Sequence, residues 1–360
     1  MGTDERDERE RTGMRRAVAL SASVGEVTHP NPNVGAVVLD RAGTVVGEGC
    51  HQRAGGPHAE VVALADAGDL ARGGTVLVTL EPCAHTGRTG PCTDALLAAG
   101  VARVVYAVAD PTPRAGGGAD VLRAAGVQVE AGLLAGEAER ANERWLTGVR
   151  LQRPFVVWKL ASTLDGRVAA ADGTSRWISS AESRADAHRL RAECDAIVAG
   201  VGTVLADDPA LTVRDAAGAL VGGQPLRVVV DTHGRTPVGA RVRDASAPTW
   251  VATADELGTD AAGQVDLAAL LSALHAKGRG LVLLEGGPTL AGGFVRAGLV
   301  DRVVAYLAPT LLGAGIASLA GTGIGTLADR VPLEVTDVTR CGQDVRVTAR
   351  PVRPTTAQEA

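Results

Sequence analysis

Short apolar runs rich in valine and alanine alternate along this chain with stretches whose apolar residues recur at helical spacing. The unbroken runs predict strands over 34–39, 75–80, 101–109, 154–161, 196–202, 226–232, 249–253, 280–284, 303–307 and 345–349. Helical spacing predicts helices over 15–23, 59–66, 93–99, 119–125, 137–150, 183–193, 267–277 and 289–297. Alternation of this kind means a layered α/β architecture with at least partly parallel sheets. A boundary falls between 147 and 154, where a helix ends at Gly148 and Pro154 opens a strand. The expected domains are 12–148 and 153–352, with 1–11 and 353–360 as solvated, disordered tails.

Composition narrows the function classes. A chain of 360 residues is long for a single core, and 46% hydrophobic residues suffice for two. Aromatics at 2% argue against a stacking platform for single-stranded nucleic acid. A net charge of −5 leaves no global basic footprint for a phosphate backbone. No apolar run approaches the roughly 20 residues that span a bilayer. The mixed-charge start lacks the apolar core of a secretion signal, so a cytoplasmic protein that binds neither membrane nor nucleic acid is expected. Five cysteines, an odd number, make a disulfide framework unattractive and bring metal or catalytic roles forward.

The strongest chemical signal is His58-Ala59-Glu60, followed by Glu81-Pro82-Cys83 and then Cys92. His58 stands before a predicted helix, Cys83 follows strand 75–80, and Cys92 opens another helix. One imidazole and two thiolates form the three-ligand set of a catalytic zinc with an open fourth position. Helix N-termini favour thiolate over thiol there. Glu60 is then the general base, taking a proton from the activated water and returning it to a departing amine. Zinc base deaminases carry H-x-E with P-C-x-x-C; here eight residues, among them His85 and Arg88, separate the cysteines. The alternative is a structural zinc, for which His85 can supply the fourth ligand.

Residues 29–35 (HPNPNVG), 49–55 (GCHQRAG), 57–60 (PHAE) and 79–92 (TLEPCAHTGRTGPC) resemble the deaminase half of the bifunctional riboflavin-biosynthesis deaminase/reductase family. The eight-residue spacing belongs to that family. The resemblance implies a cytidine-deaminase-like three-layer α/β domain in which Asn31, His51 and Arg88 touch the substrate. Residue chemistry is compatible: Asn31 offers donor and acceptor to a pyrimidine edge. Arg88 offers a cation for a phosphate, a ring or developing charge. Taken alone, Asn31 between prolines is also a turn residue, His51 a surface histidine and Cys50 a small buried hydrophobe. Asp110-Pro-Thr-Pro113 matches a family segment. Residues 114–118 are shorter and richer in glycine than the family pattern, which bears on how the site closes.

In the C-terminal half, 159–167, 200–214 and 285–293 each follow a strand, and the last opens a helix. A glycine-rich turn there lets backbone N–H groups approach a phosphate, although this is not the G-x-G-x-x-G fingerprint and each segment alone reads as readily as a tight turn. Together with 175–179, Arg191, Thr203, 207–211 and 309–313, they resemble the reductase half of the same family. The resemblance covers about 12–351. It implies a dihydrofolate-reductase-like α/β domain with NADPH contacts at Ala161, Trp177, Thr203, Asp207, Thr232, Gly287, Pro288, Thr289, Leu290, Ala291, Gly292 and Gly293. Ser175, Arg191, Leu211, Arg214 and Glu285 would contact substrate. Arg191 and Arg214 suit a ribose 5-phosphate, though exposed arginines on a solvated face would read the same. Spacing names no proton donor; Asp207 is a candidate by position. Trp177 reads equally as core, as do Cys194 and Cys341.

The resemblance implies zinc-dependent hydrolytic deamination of a small phosphoribosylamino-pyrimidine, 2,5-diamino-6-(5-phosphoribosylamino)pyrimidin-4-one. NADPH-dependent reduction of its ribosyl chain then gives 5-amino-6-(5-phosphoribitylamino)uracil, in a homo-oligomer, dimer or tetramer. Two other readings stand beside it. One is a nucleoside or nucleic-acid deaminase with an unrelated second domain. The other is a nucleotide-binding module with a structural zinc.

Overall fold

The computed structural model describes residues 3–28, 30–86, 90–113 and 115–352, and it divides into two compact units, Met1–Gln152 and Arg153–Ala360. The first runs α1 (Thr3–Ser23), β1 (Gly35–Leu39), β2 (Val45–Cys50), α2 (Ala59–Ala67), β3 (Thr75–Leu80), α3 (Cys92–Ala99), β4 (Arg103–Val108), α4 (Gly118–Ala124), β5 (Gln128–Ala131), α5 (Ala135–Ala141) and α6 (Glu143–Leu151). Its sheet has the order β2-β1-β3-β4-β5. The first three strands run antiparallel, and β3, β4 and β5 run parallel. Helices α1 and α5 pack together over one face and α2 and α3 over the other. Strands β1, β3 and β4 are buried almost throughout, which is why they read as unbroken apolar runs.

Helix α1 begins at Thr3, so residues 3–11, expected as tail, are its first turns. Glu10 explains the difference: it is buried and its carboxylate takes two N–H bonds from Arg103 of β4, at 2.8 and 3.1 Å. Residues 353–360, the other expected tail, lie outside the described residues. The helix expected over 137–150 is two, broken at Asn142, whose side-chain oxygen accepts the backbone N–H of Asn33. Strand β2 gives no unbroken apolar run, because glycines and Glu48 interrupt its pattern.

The second unit contains β6 (Phe155–Thr163), β7 (Arg167–Ala169), α7 (Ala181–Glu193), β8 (Ala196–Gly200), α8 (Val201–Asp207), β9 (Leu226–Val230), β10 (Thr249–Ala252), α9 (Ala254–Leu257), α10 (Leu267–Ala276) and β11 (Leu281–Leu284). It continues through α11 (Pro288–Arg296), β12 (Arg302–Ala308), β13 (Ile316–Ala317), β14 (Leu333–Cys341) and β15 (Asp344–Pro351). The main sheet has the order β10-β9-β8-β11-β6-β12-β15-β14. It is parallel from β10 to β12 and antiparallel at β15 and β14. Alternate residues of each central strand serve opposite cores. Val156, Trp158 and Val198 face α10 and α11, whereas Phe155, Val157 and Ile197 face the side of α7 and α8. Ser180 caps α7 by accepting the Ser183 N–H, and Asp266 caps α10 through Ala268 and Ala269.

The strand expected over 196–202 ends at Gly200, and Val201 already belongs to α8. Strand β14 was not anticipated because Leu333 to Arg340 are exposed on both faces and give no buried stripe. Among the described residues, no helix is long and apolar enough to cross a membrane.

The entry to β6 is fixed by a buried ion pair. Arg153 forks onto Asp301 at 2.6 and 2.8 Å, and Asp301 also accepts the Val156 N–H at 2.8 Å. Asp301→Ala leaves that guanidinium without its carboxylate and should cost about 3–5 kcal/mol. The loss is read as a lower urea midpoint for the second unit; an unchanged midpoint would refute it.

Candidate active sites in the two units

In the first unit the candidate residues gather where parallel strands end and helices begin. His58 immediately precedes α2, Glu60 lies in that helix's first turn, Cys83 follows β3, and Cys92 is the first residue of α3. The Nδ1 atom of His58 is 3.0 Å from the Cys92 sulfur and 3.6 Å from the Cys83 sulfur, and the sulfurs are 3.5 Å apart. Ligand distances of 2.0–2.3 Å around tetrahedral zinc give edges of about 3.3–3.8 Å, so this donor set fits zinc with only a small adjustment. Among the described residues the group consists of these three. His85 does not join them, which disfavours a closed four-ligand site and leaves a position for water.

The electrostatics suit a cation. The Cys83 thiol is lowered to about 4, chiefly by its hydrogen bond with Cys92 and further by His58, while the Cys92 thiol moves up for the same reason. A dication at this position would favour the thiolate form of both sulfurs. Glu60 is buried, and burial raises its carboxyl while His58 pulls it down.

His51 and Asn31 stand beside this group. The His51 ring is buried and meets the His58 ring edge-on, with centroids 5.5 Å apart. Its Nδ1 lies 3.0 Å from the Pro57 carbonyl and its Nε2 lies 3.0 Å from the Asn31 amide nitrogen. A carbonyl only accepts, so Nδ1 carries the proton, Nε2 accepts from Asn31, and the orientation of the Asn31 amide follows. His51 is thus not the surface histidine that it could have been in isolation, while Asn31 also closes a turn, its backbone N–H donating to the Thr28 carbonyl at 2.8 Å. Arg88 lies outside the described residues.

In the second unit Arg191 of α7 and Glu285, the residue after β11, form a two-pronged ion pair at 2.6 and 2.7 Å, and Arg191 also donates to the Thr212 carbonyl at 3.0 Å. Its fork is therefore engaged by the protein, not held open as a phosphate clamp. Burial raises the Glu285 carboxyl, but Arg191 outweighs it and holds the group at about 2. Lys159 of β6, to which spacing gave no role, faces this pair. Burial lowers its ammonium, Glu285 opposes that shift, and the nitrogen sits 5.9 Å from the centre of the Tyr306 ring. A lone lysine among apolar residues of a central strand was the available signal.

Helices α8 and α11 start side by side because β8 and β11 are neighbours; a Cβ on Gly287 would lie 3.5 Å from the Thr203 hydroxyl. No side chain caps α11, and Pro288 occupies its first turn, so its leading N–H groups are available to an anionic group such as a cofactor phosphate. The far part of the turn is different. Ala291, Gly292 and Gly293 are buried, and a Cβ on Gly292 would meet the Ala320 carbonyl at 1.7 Å. Those three expected cofactor contacts therefore serve packing, and the open part is Gly287, Pro288, Thr289 and Leu290.

The remaining candidates spread around this centre. Trp177 is 71% exposed, not core, with the Arg184 guanidinium over its ring at 4.4 Å. Asp207 ends α8 exposed, and its carbonyl accepts from Arg176. Leu211 is buried with a positive φ of 47°. Arg214 donates to the Gly218 carbonyl, and its backbone N–H donates to His188 Nδ1 at 3.2 Å. Ala161 and Ser175 are partly exposed, and the Thr232 hydroxyl bonds Gln264. Cys194 and Cys341 are buried in the core as expected, and Cys50 is only half-buried at the end of β2.

Two family models match the chain: the cytidine and deoxycytidylate deaminase zinc-binding region over residues 7–108 and the RibD C-terminal domain over 154–347. The riboflavin biosynthesis protein RibD of Mycobacterium tuberculosis is 47% identical over 333 residues, covering 92% of this chain and 94% of that one. RibD of Escherichia coli is 43% identical over 355 residues, covering 92% and 96%. Among solved structures, Acinetobacter baumannii RibD matches with a TM-score of 0.79 at 36% identity, covering 96% of this chain and 100% of that chain. A Thermotoga maritima diaminohydroxyphosphoribosylaminopyrimidine deaminase/5-amino-6-(5-phosphoribosylamino)uracil reductase matches with a TM-score of 0.78 at 34% identity, covering 96% and 99%.

Removing one thiol should empty the first site. Cys92→Ser is expected to bring bound zinc, measured by elemental analysis of the purified chain, from one per chain towards zero. Retention of a full equivalent would mean that the ion is held elsewhere.

Proposed function

This chain belongs to the RibD family, in which a zinc-dependent deaminase and an NADPH-dependent reductase of riboflavin biosynthesis are joined, and from that premise we propose how its residues divide the two reactions. The substrate of the first unit is 2,5-diamino-6-(5-phosphoribosylamino)pyrimidin-4-one, as family membership implies, and the observation that carries the deamination chemistry is the His58–Cys83–Cys92 group beside buried Glu60. When held there, zinc lowers the pKa of a water to about 7 and so supplies a nucleophile at neutral pH. Glu60 takes the proton of that water and delivers it to the leaving amine. Asn31, held by His51, keeps its amide oxygen for the pyrimidine edge.

The second unit takes the deaminated product and reduces its ribosyl chain to ribityl. NADPH supplies a hydride, and the uncapped start of α11 with Thr203 receives its phosphates. Glu285 and Arg191 hold each other rigid, and their charges set the field at Lys159. We assign to Lys159 the proton that the sugar oxygen acquires as the ring opens; its lowered pKa and its place beside Glu285 support this better than exposed Asp207. Association of copies is part of the reading, since β14 leaves Val335 and Val338 exposed on an open sheet edge that a second copy would cover. A cytoplasmic setting accords with thiolate ligands, which need reducing conditions.

Mass analysis of product tests both halves. Glu60→Gln should lower deamination about 10²- to 10⁴-fold while zinc stays bound and the pre-deaminated pyrimidine is still reduced. Full deamination by this variant would remove Glu60 from the mechanism. The reductase rate should fall as pH rises through the lowered Lys159 pKa, because only the ammonium has a proton to give. Lys159→Arg should move that limb to higher pH, and an alkaline limb that stays in place would exclude Lys159 as donor.

A further inference from the structure

The deaminase reading, on which the following rests, leaves one buried carboxylate unused. Glu81 lies between the end of β3 and Cys83 and is 8% exposed. Its backbone N–H continues the ladder by donating to the Val108 carbonyl at 2.8 Å, so the side chain emerges where β3 and β4 end together. One carboxylate oxygen accepts the Asp110 N–H at 3.2 Å; the other accepts the Gly117 and Ala119 N–H groups at 3.1 and 3.0 Å. Both ends of the excursion between β4 and α4 are thus tied to one side chain, which joins Asp110 to Gly117 and Ala119 in a ring.

The ring is seated on the metal corners. A Cβ on Gly118 would fall 1.7 Å from the Pro82 carbonyl and 3.3 Å from the Thr93 side chain. Pro82 precedes Cys83 and Thr93 follows Cys92, and the Thr93 N–H donates to the Cys83 carbonyl at 3.2 Å. Gly118, at the closing end of this ring, therefore rests on both thiol-bearing corners at once. It lies at the carboxyl ends of parallel strands, where α/β folds present ligand crevices.

We propose that Glu81 is a positioning residue for deamination: its carboxylate ties Asp110 to Gly117 and Ala119 and seats Gly118 against the Cys83 and Cys92 corners as part of a wall of the pyrimidine pocket. It touches neither substrate nor ion, and acts through the backbone of Asp110, Gly117 and Ala119. A displaced wall weakens substrate binding, and a shift of about 1 Å at such a wall is worth up to about 10²-fold in rate.

Glu81→Gln is the discriminating variant, since it keeps size and shape. Its one oxygen can still serve Gly117 and Ala119, but its NH2 must then face the Asp110 N–H, so the start of the ring comes free. Amide exchange of Asp110 should quicken by about tenfold or more, with Gly117 and Ala119 less affected. In the full-length zinc-loaded chain, kcat/KM for deamination should fall about 10- to 100-fold, mostly through KM. Zinc content should stay at the level of the unaltered chain, as should reduction of the pre-deaminated pyrimidine. Gly118→Ala, which lifts the ring from Pro82 with Glu81 intact, should show the same rise in KM.

Unchanged KM and unchanged Asp110 exchange in Glu81→Gln would overturn the proposal. Loss of zinc would overturn it in favour of support for the metal ligands alone, and a parallel loss of reductase turnover in favour of a general role in the fold. If the unaltered chain failed to deaminate this pyrimidine, the substrate reading would fall, while the exchange at Asp110 would still decide the clamp.

Discussion

Two thiols and an imidazole within 3.6 Å of one another form an unstable arrangement unless a cation holds them. Parallel pairing of β3 with β4 brings Cys83 to a strand end, and α2 and α3 pack together so that His58 and Cys92 meet it. Glu60 enters the same space one helical residue beyond Ala59, so the base and the ligands are placed by a single short helix.

The second unit solves a different problem with the same layering. It has no soft ligands to gather, and its charges stabilise one another. Glu285 stays ionised in a buried setting because Arg191 faces it on two prongs, and the pair in turn sets the field in which Lys159 sits. Such a pair is costly to assemble and rigid once formed, which suits a site whose main task is to align a hydride donor with its acceptor.

Most of this was legible where residue chemistry and element position coincide. His58, Glu60, Cys83 and Cys92 announce themselves because each stands at a strand–helix junction, and the buried strands read directly from their apolar runs. Legibility failed where tertiary partners decide. The charged run before Thr12 is helical since Glu10 finds Arg103, a partner 93 residues away. Arg191 looks like a phosphate clamp until Glu285 is seen on its fork. Gly292 looks like part of a phosphate turn until the Ala320 carbonyl is found against it. Strand β14 carries no buried stripe, so nothing in its own residues distinguishes it from a loop.

The Glu10–Arg103 clamp bears on how much of the chain can be trimmed. Arg103 opens β4 and is only 13% exposed, so its charge relies on the carboxylate that α1 delivers. A protease cut or a shortened gene product beginning at Thr12 would remove that carboxylate and leave the guanidinium to Glu130, which is itself largely exposed. The first turns of α1 are thus a strap across the strand that leads to the Asp110 loop, and the acidic, basic, repetitive look of that segment conceals a part the domain cannot shed without loosening its own sheet.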